Sequence, residues 1–224
     1  MSASEQFTPA LGHSALTPLY DAAIALMTRE GRWRSALVRQ IAPRAGEHIV
    51  DIGCGTGTLA LAIKRAAPGA RVIGVDPDAD VLERARAKAK RAGLDIKFIQ
   101  GFARDAAALI GRPVDKAVSS LVFHQTPMAE KRAGLHAMHD MLTTNGELHV
   151  ADYGLQRTAL MRVLFKQVQR LDGFENTTPN AEGILPELMR DAGFNAVTER
   201  QVIPTPTGSI SLYFANHAGP KEQH

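Results

Sequence analysis

Three glycines fall on alternate positions in Val50-Asp51-Ile52-Gly53-Cys54-Gly55-Thr56-Gly57-Thr58-Leu59. Residues without side chains let a backbone turn tightly and let a ligand lie against bare peptide. A helix opening just beyond them leaves its first amide N–H groups free to meet that ligand. Asp51 stands two residues before the first glycine, where a carboxylate can pair with an ammonium directly or through water. A second acid, Asp76 in Gly74-Val75-Asp76-Pro77, follows about 20 residues on, where a carboxylate can accept both hydroxyls of a ribose. Dinucleotide sites want Gly-x-Gly-x-x-Gly, but here Gly57 comes one place early and Thr58 stands where the third glycine belongs. The two motifs together describe a ligand with a ribose, no phosphate demand and a charged amino-acid tail. S-adenosylmethionine has those features.

Periodicity supplies the scaffold for these residues. His48–Ile52 reads as a short apolar strand, Thr58–Ala67 as a helix ended by Pro68-Gly69, Arg71–Asp76 as a second strand, and Asp78–Ala92 as a long helix stopped by Gly93. Ile96–Ile99 forms a third strand, Arg104–Ile110 a weaker helix, Val114–Leu121 a fourth strand, Pro127–Leu142 a helix and Gly146–Ala151 a fifth strand. Such alternation implies right-handed crossovers and a parallel sheet covered on both faces, with both motifs at the strand carboxyl ends where open α/β sheets bind ligands. The rhythm breaks at 155–180, where Leu160, Met161, Leu164, Phe165, Val168 and Leu171 make an apolar stripe before a polar loop, Gly173–Asn180. A last helix, Ala181–Ala192, precedes two strands, Ala196–Ile203 and Ser209–Ala215, whose short Pro- and Gly-marked break predicts an antiparallel hairpin. Residues 1–42 read as helical, with Leu16, Leu19, Ala23, Leu26 and Met27, then Trp33, Leu37 and Ile41, at helical spacing. The expected architecture is a doubly wound α/β fold of Rossmann-like type: a mostly parallel seven-stranded sheet with a C-terminal antiparallel hairpin. Residues 1–42 form an N-terminal helical lid, and 43–224 form the binding domain with an inserted helix at 155–180.

Composition narrows the function classes. The 224 residues are 45% hydrophobic and 22% charged, an ordinary globular balance that excludes wholesale disorder. Cys54 is the single cysteine, so neither a disulfide framework nor a four-cysteine zinc site can form within the chain. Twenty-six basic and 23 acidic residues leave a charge of +3. The densest basic run, Arg84–Arg91, alternates with alanine as a solvated helix face does, which speaks against a nucleic-acid footprint. No stretch approaches the roughly 18 apolar residues of a membrane span, and Met1–Gln6 lack the head of a targeting peptide. The expectation is a cytoplasmic monomer or homodimer without stable membrane insertion.

With VDIGCGTG, then VIGVDPD, then the small-residue strand end SSLVFH, the sequence resembles the class I S-adenosylmethionine-dependent methyltransferases, most closely their small-molecule branch that includes quinone-ring enzymes. The motifs cover about residues 44–153, and the order of elements extends the likeness to the C-terminus. The resemblance implies that Gly53, Gly55 and Gly57 line the methionine part of S-adenosylmethionine, with Asp51 near its amino group. It places Asp76 on the ribose hydroxyls, Pro77 or Asp78 beside the adenine, and Ser119 and Ser120 over the cofactor through their backbone. The family's Gly-Asp-Ala after the third strand is here Gly101-Phe102-Ala103, so Phe102 replaces the acid that faces the adenine. Phe102 would offer stacking or an edge contact, Ala103 backbone hydrogen bonds, and Asp105 a weaker substitute for the carboxylate.

Other residues are weighed by type alone. His124 follows an apolar strand end and titrates near neutrality, so it is the candidate general base; its plainer role is a hydrogen-bonded histidine supporting the pocket. His136 and His139 share a helix face without a defined third ligand, and no metal is expected. Cys54 is a small loop residue with no cationic neighbour to lower its pKa. Tyr20, Asp21, Trp33, Tyr153, Phe165 and Phe174 are candidates to line an acceptor pocket roofed by the inserted helix and the N-terminal helices. A small-molecule acceptor and no nucleic acid are expected, because Ser119-Ser120-Leu121-Val122 stands where base-modifying enzymes resemble one another in an Asn/Asp-Pro-Pro-aromatic turn. The rivals are a methyltransferase acting on protein or nucleic acid, a non-catalytic S-adenosylmethionine binder and an NAD-dependent oxidoreductase.

Overall fold

The computed structural model describes residues 30–217. Seven strands form one sheet in the order β3-β2-β1-β4-β5-β7-β6. They are β1 (His48–Ile52), β2 (Arg71–Asp76), β3 (Lys97–Gln100), β4 (Val114–Ser120), β5 (Leu142–Tyr153), β6 (Phe194–Thr205) and β7 (Gly208–His217). Parallel pairing runs from β3 through β2, β1 and β4 to β5. β7 then enters antiparallel between β5 and β6, closing the hairpin that the Pro- and Gly-marked break predicts. The order reverses at β1, whose neighbours β2 and β4 lead away in opposite directions, and this is the crevice where an open α/β sheet takes a ligand.

Strand alternation sends Ile49 to one face and Val50 and Ile52 to the other, and each face is covered by helices. The first face carries α1 (Glu30–Ile41), α2 (Thr58–Ala66), α3 (Ala79–Arg91) and α6 (Ala159–Asp172), through Trp33, Leu37, Leu61, Leu82 and Phe165. The second carries α4 (Ala106–Ile110), α5 (Met128–Asp140) and α8 (Leu185–Asp191), through Ala106, Leu135, Met138 and Leu188. Trp33, Leu37 and Ile41 are fully buried, as their helical spacing requires. Leu16 to Met27, Tyr20 and Asp21 lie outside the described residues.

Four segments depart from the sequence reading, the simplest being the last helix, expected over Ala181–Ala192 and found only from Leu185 to Asp191. The polar stretch expected as a loop at Gly173–Asn180 is instead helix α7 (Phe174–Ala181), set off from α6 by Gly173 at φ 85°. Thr177 Oγ1 donates to the Gly173 carbonyl at 2.6 Å and Asn180 Nδ2 to the Tyr153 carbonyl at 3.1 Å. β5 starts at Leu142, with a register irregularity between the Val114 and Lys116 pairings, and the helix before it ends at Asp140. On α6 only Phe165 and Val168 of the expected stripe are buried; Leu160 and Leu171 are exposed.

Candidate functional site

The glycine loop leaves β1 under tight control. The Gly53 and Cys54 amides both donate to the Val75 carbonyl at 2.8 and 3.0 Å, and the Gly57 amide closes back on the Cys54 carbonyl at 2.8 Å. All three glycines have φ between 51° and 74°, where a side chain is strained. Their surroundings differ. A Cβ on Gly53 would run into the Val122 side chain, and one on Gly57 would sit 3.0 Å from Phe98 Cζ and 3.1 Å from Ala85 Cβ. A Cβ on Gly55 would meet nothing within 4 Å. Gly55 therefore presents bare peptide to open space, whereas Gly53 and Gly57 let neighbouring segments pack. From α3, Lys88 Nζ donates to the Thr56 and Thr58 hydroxyls, each at 2.9 Å, bracing the loop from behind.

Two acids flank Gly55. Asp51 is 1% exposed, and neither carboxylate oxygen has a full hydrogen-bond partner among the described residues. Burial pushes its carboxyl up to about 7 against the pull of the Arg34 charge; the nearby Asp76 charge adds to the rise, and the Ala60 amide leans on it weakly in the other direction. An orphaned buried carboxylate is costly unless a ligand cation completes it. Asp76 is held by main-chain donors: Oδ2 accepts from the Gly55 amide at 2.8 Å and Oδ1 from the Asp78 amide at 3.0 Å. Each oxygen keeps a second lone pair for a hydroxyl. Burial raises the Asp76 pKa, and those two amides oppose the rise. The helix cap that an Asp before Pro77 suggests falls on Asp78, whose Oδ1 accepts from the Asp80 and Val81 amides.

The remaining expected residues divide. Phe102, half-buried, lies under the Arg104 guanidinium at 4.4 Å, with Ala103 opening the short turn after it. The Pro77 carbonyl accepts from Gln100 Nε2 at 3.0 Å. Ser119 is buried, its hydroxyl donating to the Ile52 carbonyl at 2.9 Å and tying β4 to β1, while Ser120 is partly exposed at the strand end. The Cys54 thiol is buried and pushed far up by desolvation, with the Asp51 and Asp76 charges adding to the effect.

Beyond β4 the structure brings together His124, Tyr153 and Phe165. His124 meets Tyr153 edge-on at 5.0 Å, and Tyr153 meets Phe165 at 4.8 Å. All three are buried, and Phe174 is exposed. The Tyr153 hydroxyl pairs with Thr207 Oγ1 at 2.7 Å, and burial raises its pKa. His124 lies between two carboxylates, Nδ1 at 2.7 Å from Asp152 and Nε2 at 3.3 Å from Asp172. Burial would lower its pKa, but these two acids outweigh burial and hold it up at about 9. Both ring nitrogens are thus donors in ion pairs, which leaves no lone pair for a base in this arrangement. Asp152 and Asp172 escaped sequence reasoning, although an acid near the carboxyl end of a strand, as Asp152 is one residue before the end of β5, is close to the signal that marks Asp76. Lys131, fully buried on α5, also escaped it: its Nζ donates to the Phe123, Thr126 and Asn176 carbonyls, stapling α7 to the segment after β4.

A doubly wound sheet with a ligand crevice at its reversal point, a bare-peptide crest and an acid at the end of β2 defines a nucleoside-ligand domain. Residues 49–146 match the family described as a methyltransferase domain. Over that stretch, a little under half of the chain, the sequence is similar to methyltransferase domains. It is 32% identical over 142 residues to a demethylmenaquinone methyltransferase of Thermus thermophilus, covering 62% of this chain and 63% of that one. To a ubiquinone/menaquinone biosynthesis C-methyltransferase of Bdellovibrio bacteriovorus it is 28% identical over 153 residues, with 68% and 62% covered. The chain thus spans just under two thirds of the length of these two relatives. The fold is also that of magnesium protoporphyrin IX methyltransferase from Synechocystis, solved with bound SAH: TM-score 0.66 at 17% identity, with 93% of this chain and 91% of that one covered. The residues present fit S-adenosylmethionine, the ligand that the two sequence motifs describe. Both Asp51 oxygens lack a hydrogen-bond partner among the described residues, Gly55 faces open space, and Asp76 retains acceptor capacity. Among the described residues, no helix is long and apolar enough to cross a membrane.

Proposed function

We propose that the protein transfers a methyl group from S-adenosylmethionine to a small-molecule acceptor of the quinone-ring type. The carrying observation is the orphaned Asp51 carboxylate beside the bare Gly55 crest, with Asp76 pinned next to both. Bound S-adenosylmethionine supplies an activated methyl group for in-line displacement. Asp51 receives the ligand's ammonium, Gly55 supports its methionine part, and Asp76 accepts the ribose hydroxyls through the lone pairs its own amides leave free. Pro77, Phe102 and Ala103 border the adenine, and Ser119 and Ser120 close the crevice from β4. On the acceptor side, the chain aligns the ring and excludes water, and orientation alone can supply effective molarities of about 10⁵ M or more. The relatives whose names specify quinone precursors support the acceptor class. His124 acts here as an imidazolium that positions the roof, and Trp33, Tyr153 and Phe165 build the apolar wall behind the pocket.

The test is titration of purified protein with S-adenosylhomocysteine, followed by product analysis with a panel of quinols, phenols, thiols and amines. Binding with methylation of the quinols is expected. Binding without any methylated product removes the transferase reading and leaves a binder; tight binding of NADH in place of the adenosyl ligand removes the cosubstrate as well.

The Asp51 shift gives this reading a pH signature. An ammonium-bearing ligand needs the ionised carboxylate, so affinity should fall about tenfold between pH 8 and pH 6, through the value of about 7. The same elevation opposes folding, since stability contributed by this group falls as pH rises from the ordinary carboxyl value to about 7. Calorimetry across that range checks the first claim: Asp51→Asn should bind weakly with a flat profile, and an equally steep profile in that variant rejects the assignment.

A further inference from the structure

Three neighbouring residues hold buried polar atoms without a hydrogen-bond partner among the described residues: both oxygens of Asp51, Nε of Arg34 and Nε1 of Trp33. Orphans of this kind are rare in native folds, and a cluster of complementary sign calls for an explanation. The set pairs one acceptor-only group with two donor-only groups. Asp51 shares its strand face with Ile49, the face that α1 covers. α1 ends low on the sheet, where its Ile41 carbonyl accepts from Lys116 Nζ at 2.8 Å, and Lys116 is the register partner of Ile49. Seven residues earlier on a helix is about 10 Å higher, which lifts Arg34 to the strand carboxyl ends beside Asp51; the two charges act on each other.

Arg34 is also prepared for a planar anion. Glu30, one turn before it, pairs with Nη1, and the guanidinium lies 4.7 Å from the centre of the Trp33 ring. Both contacts fix its plane while Nε remains unpartnered. A fixed fork with spare donors suits a carboxylate better than a mobile point charge does.

We propose that Arg34, with the Trp33 indole N–H beside it, receives the carboxylate of the cosubstrate's amino-acid end, so that Asp51 and Arg34 together read a zwitterion. This deepens, and rests on, the cosubstrate reading given above. The N-terminal helix then contributes directly to ligand choice: adenosyl compounds with an amino group but no carboxylate are rejected.

The test is calorimetric, with three probes: S-adenosylhomocysteine, its decarboxylated counterpart and 5′-methylthioadenosine. Wild-type protein is expected to bind the first about 10- to 100-fold tighter than the second, the range of a charge-assisted hydrogen bond. Arg34→Gln should weaken S-adenosylhomocysteine by that factor relative to its decarboxylated counterpart and leave 5′-methylthioadenosine within about threefold. Losing the Arg34 charge also disturbs Asp51, but both amino-bearing probes feel that equally, so their ratio isolates the carboxylate. Equal binding of the first two probes by wild-type protein overturns the proposal without recourse to any variant, and so does an Arg34→Gln protein that keeps the discrimination. Failure to bind any of the three overturns the cosubstrate reading itself, and the proposal with it.

Discussion

Asp152→Ala is expected to destabilise the protein by about 3–5 kcal/mol, the cost of stranding a buried charge when its partner is removed. At this chain length that lowers the thermal midpoint by about 10 °C. Asp152 is fully buried and serves four donors: the Val122 and Phe123 amides at 3.1 and 2.7 Å on Oδ2, and the Tyr153 amide and His124 Nδ1, each at 2.7 Å, on Oδ1. Truncation leaves three amides and an imidazolium without it. The pH dependence carries a definite sign. His124 has a folded pKa of about 9, above its ordinary 6.5, so its contribution is full below 6.5 and is lost as pH rises through about 9. Thermal unfolding of wild-type protein between about pH 7 and pH 10 should show that decline, and Asp152→Ala should flatten it. Asp152→Asn keeps an acceptor oxygen and should fall between the two. A variant within about 1 kcal/mol of wild type, with an unchanged alkaline slope, would falsify the buried-pair account.

The sheet was legible because its signals are local. Apolar runs such as His48–Ile52 and Arg71–Asp76 are bounded by glycine and proline, and the structure places both strands on those residues. α7 was not legible, because Phe174–Ala181 holds two Asn, two Thr and a Pro, poor helix formers whose turn is held by bonds to distant groups. Lys131 and the Tyr153 carbonyl supply those bonds from elsewhere in the chain, and no window around α7 contains them. The same limit governs the site. Spacing brought His124 to the strand edge, but its state is set by Asp152 and Asp172, which reach it only through the fold. Arg34 stands in a stripe whose apolar members fix the helix, and nothing in that periodicity reveals a cation turned towards Asp51. The three glycines were legible as a group, whereas the division of labour among them depends on Val122, Phe98 and Ala85.

That division makes the sharpest mutational contrast. Gly55→Val should abolish detectable binding of S-adenosylhomocysteine while the protein stays folded, because the added carbons enter only open space. The backbone at φ 51° charges a β-branched residue about 1–2 kcal/mol of strain. Gly55→Asn separates bulk from strain, since asparagine tolerates the left-handed region; it should remain within about 1 kcal/mol of wild type and still lose at least about 100-fold in affinity. Gly53→Ala should do the reverse. Its Cβ collides with the Val122 side chain at φ 68°, costing about 2–4 kcal/mol through overpacking and strain. The fraction that folds should bind with affinity within a few-fold of wild type, because the ligand crest is untouched. Val122→Ala in the Gly53→Ala background should recover part of the lost stability, a coupling expected only of residues in contact. Chemical denaturation and calorimetry on the same preparations measure both quantities. If Gly53→Ala proves stable but binding-dead, the glycine that meets the ligand has been misassigned.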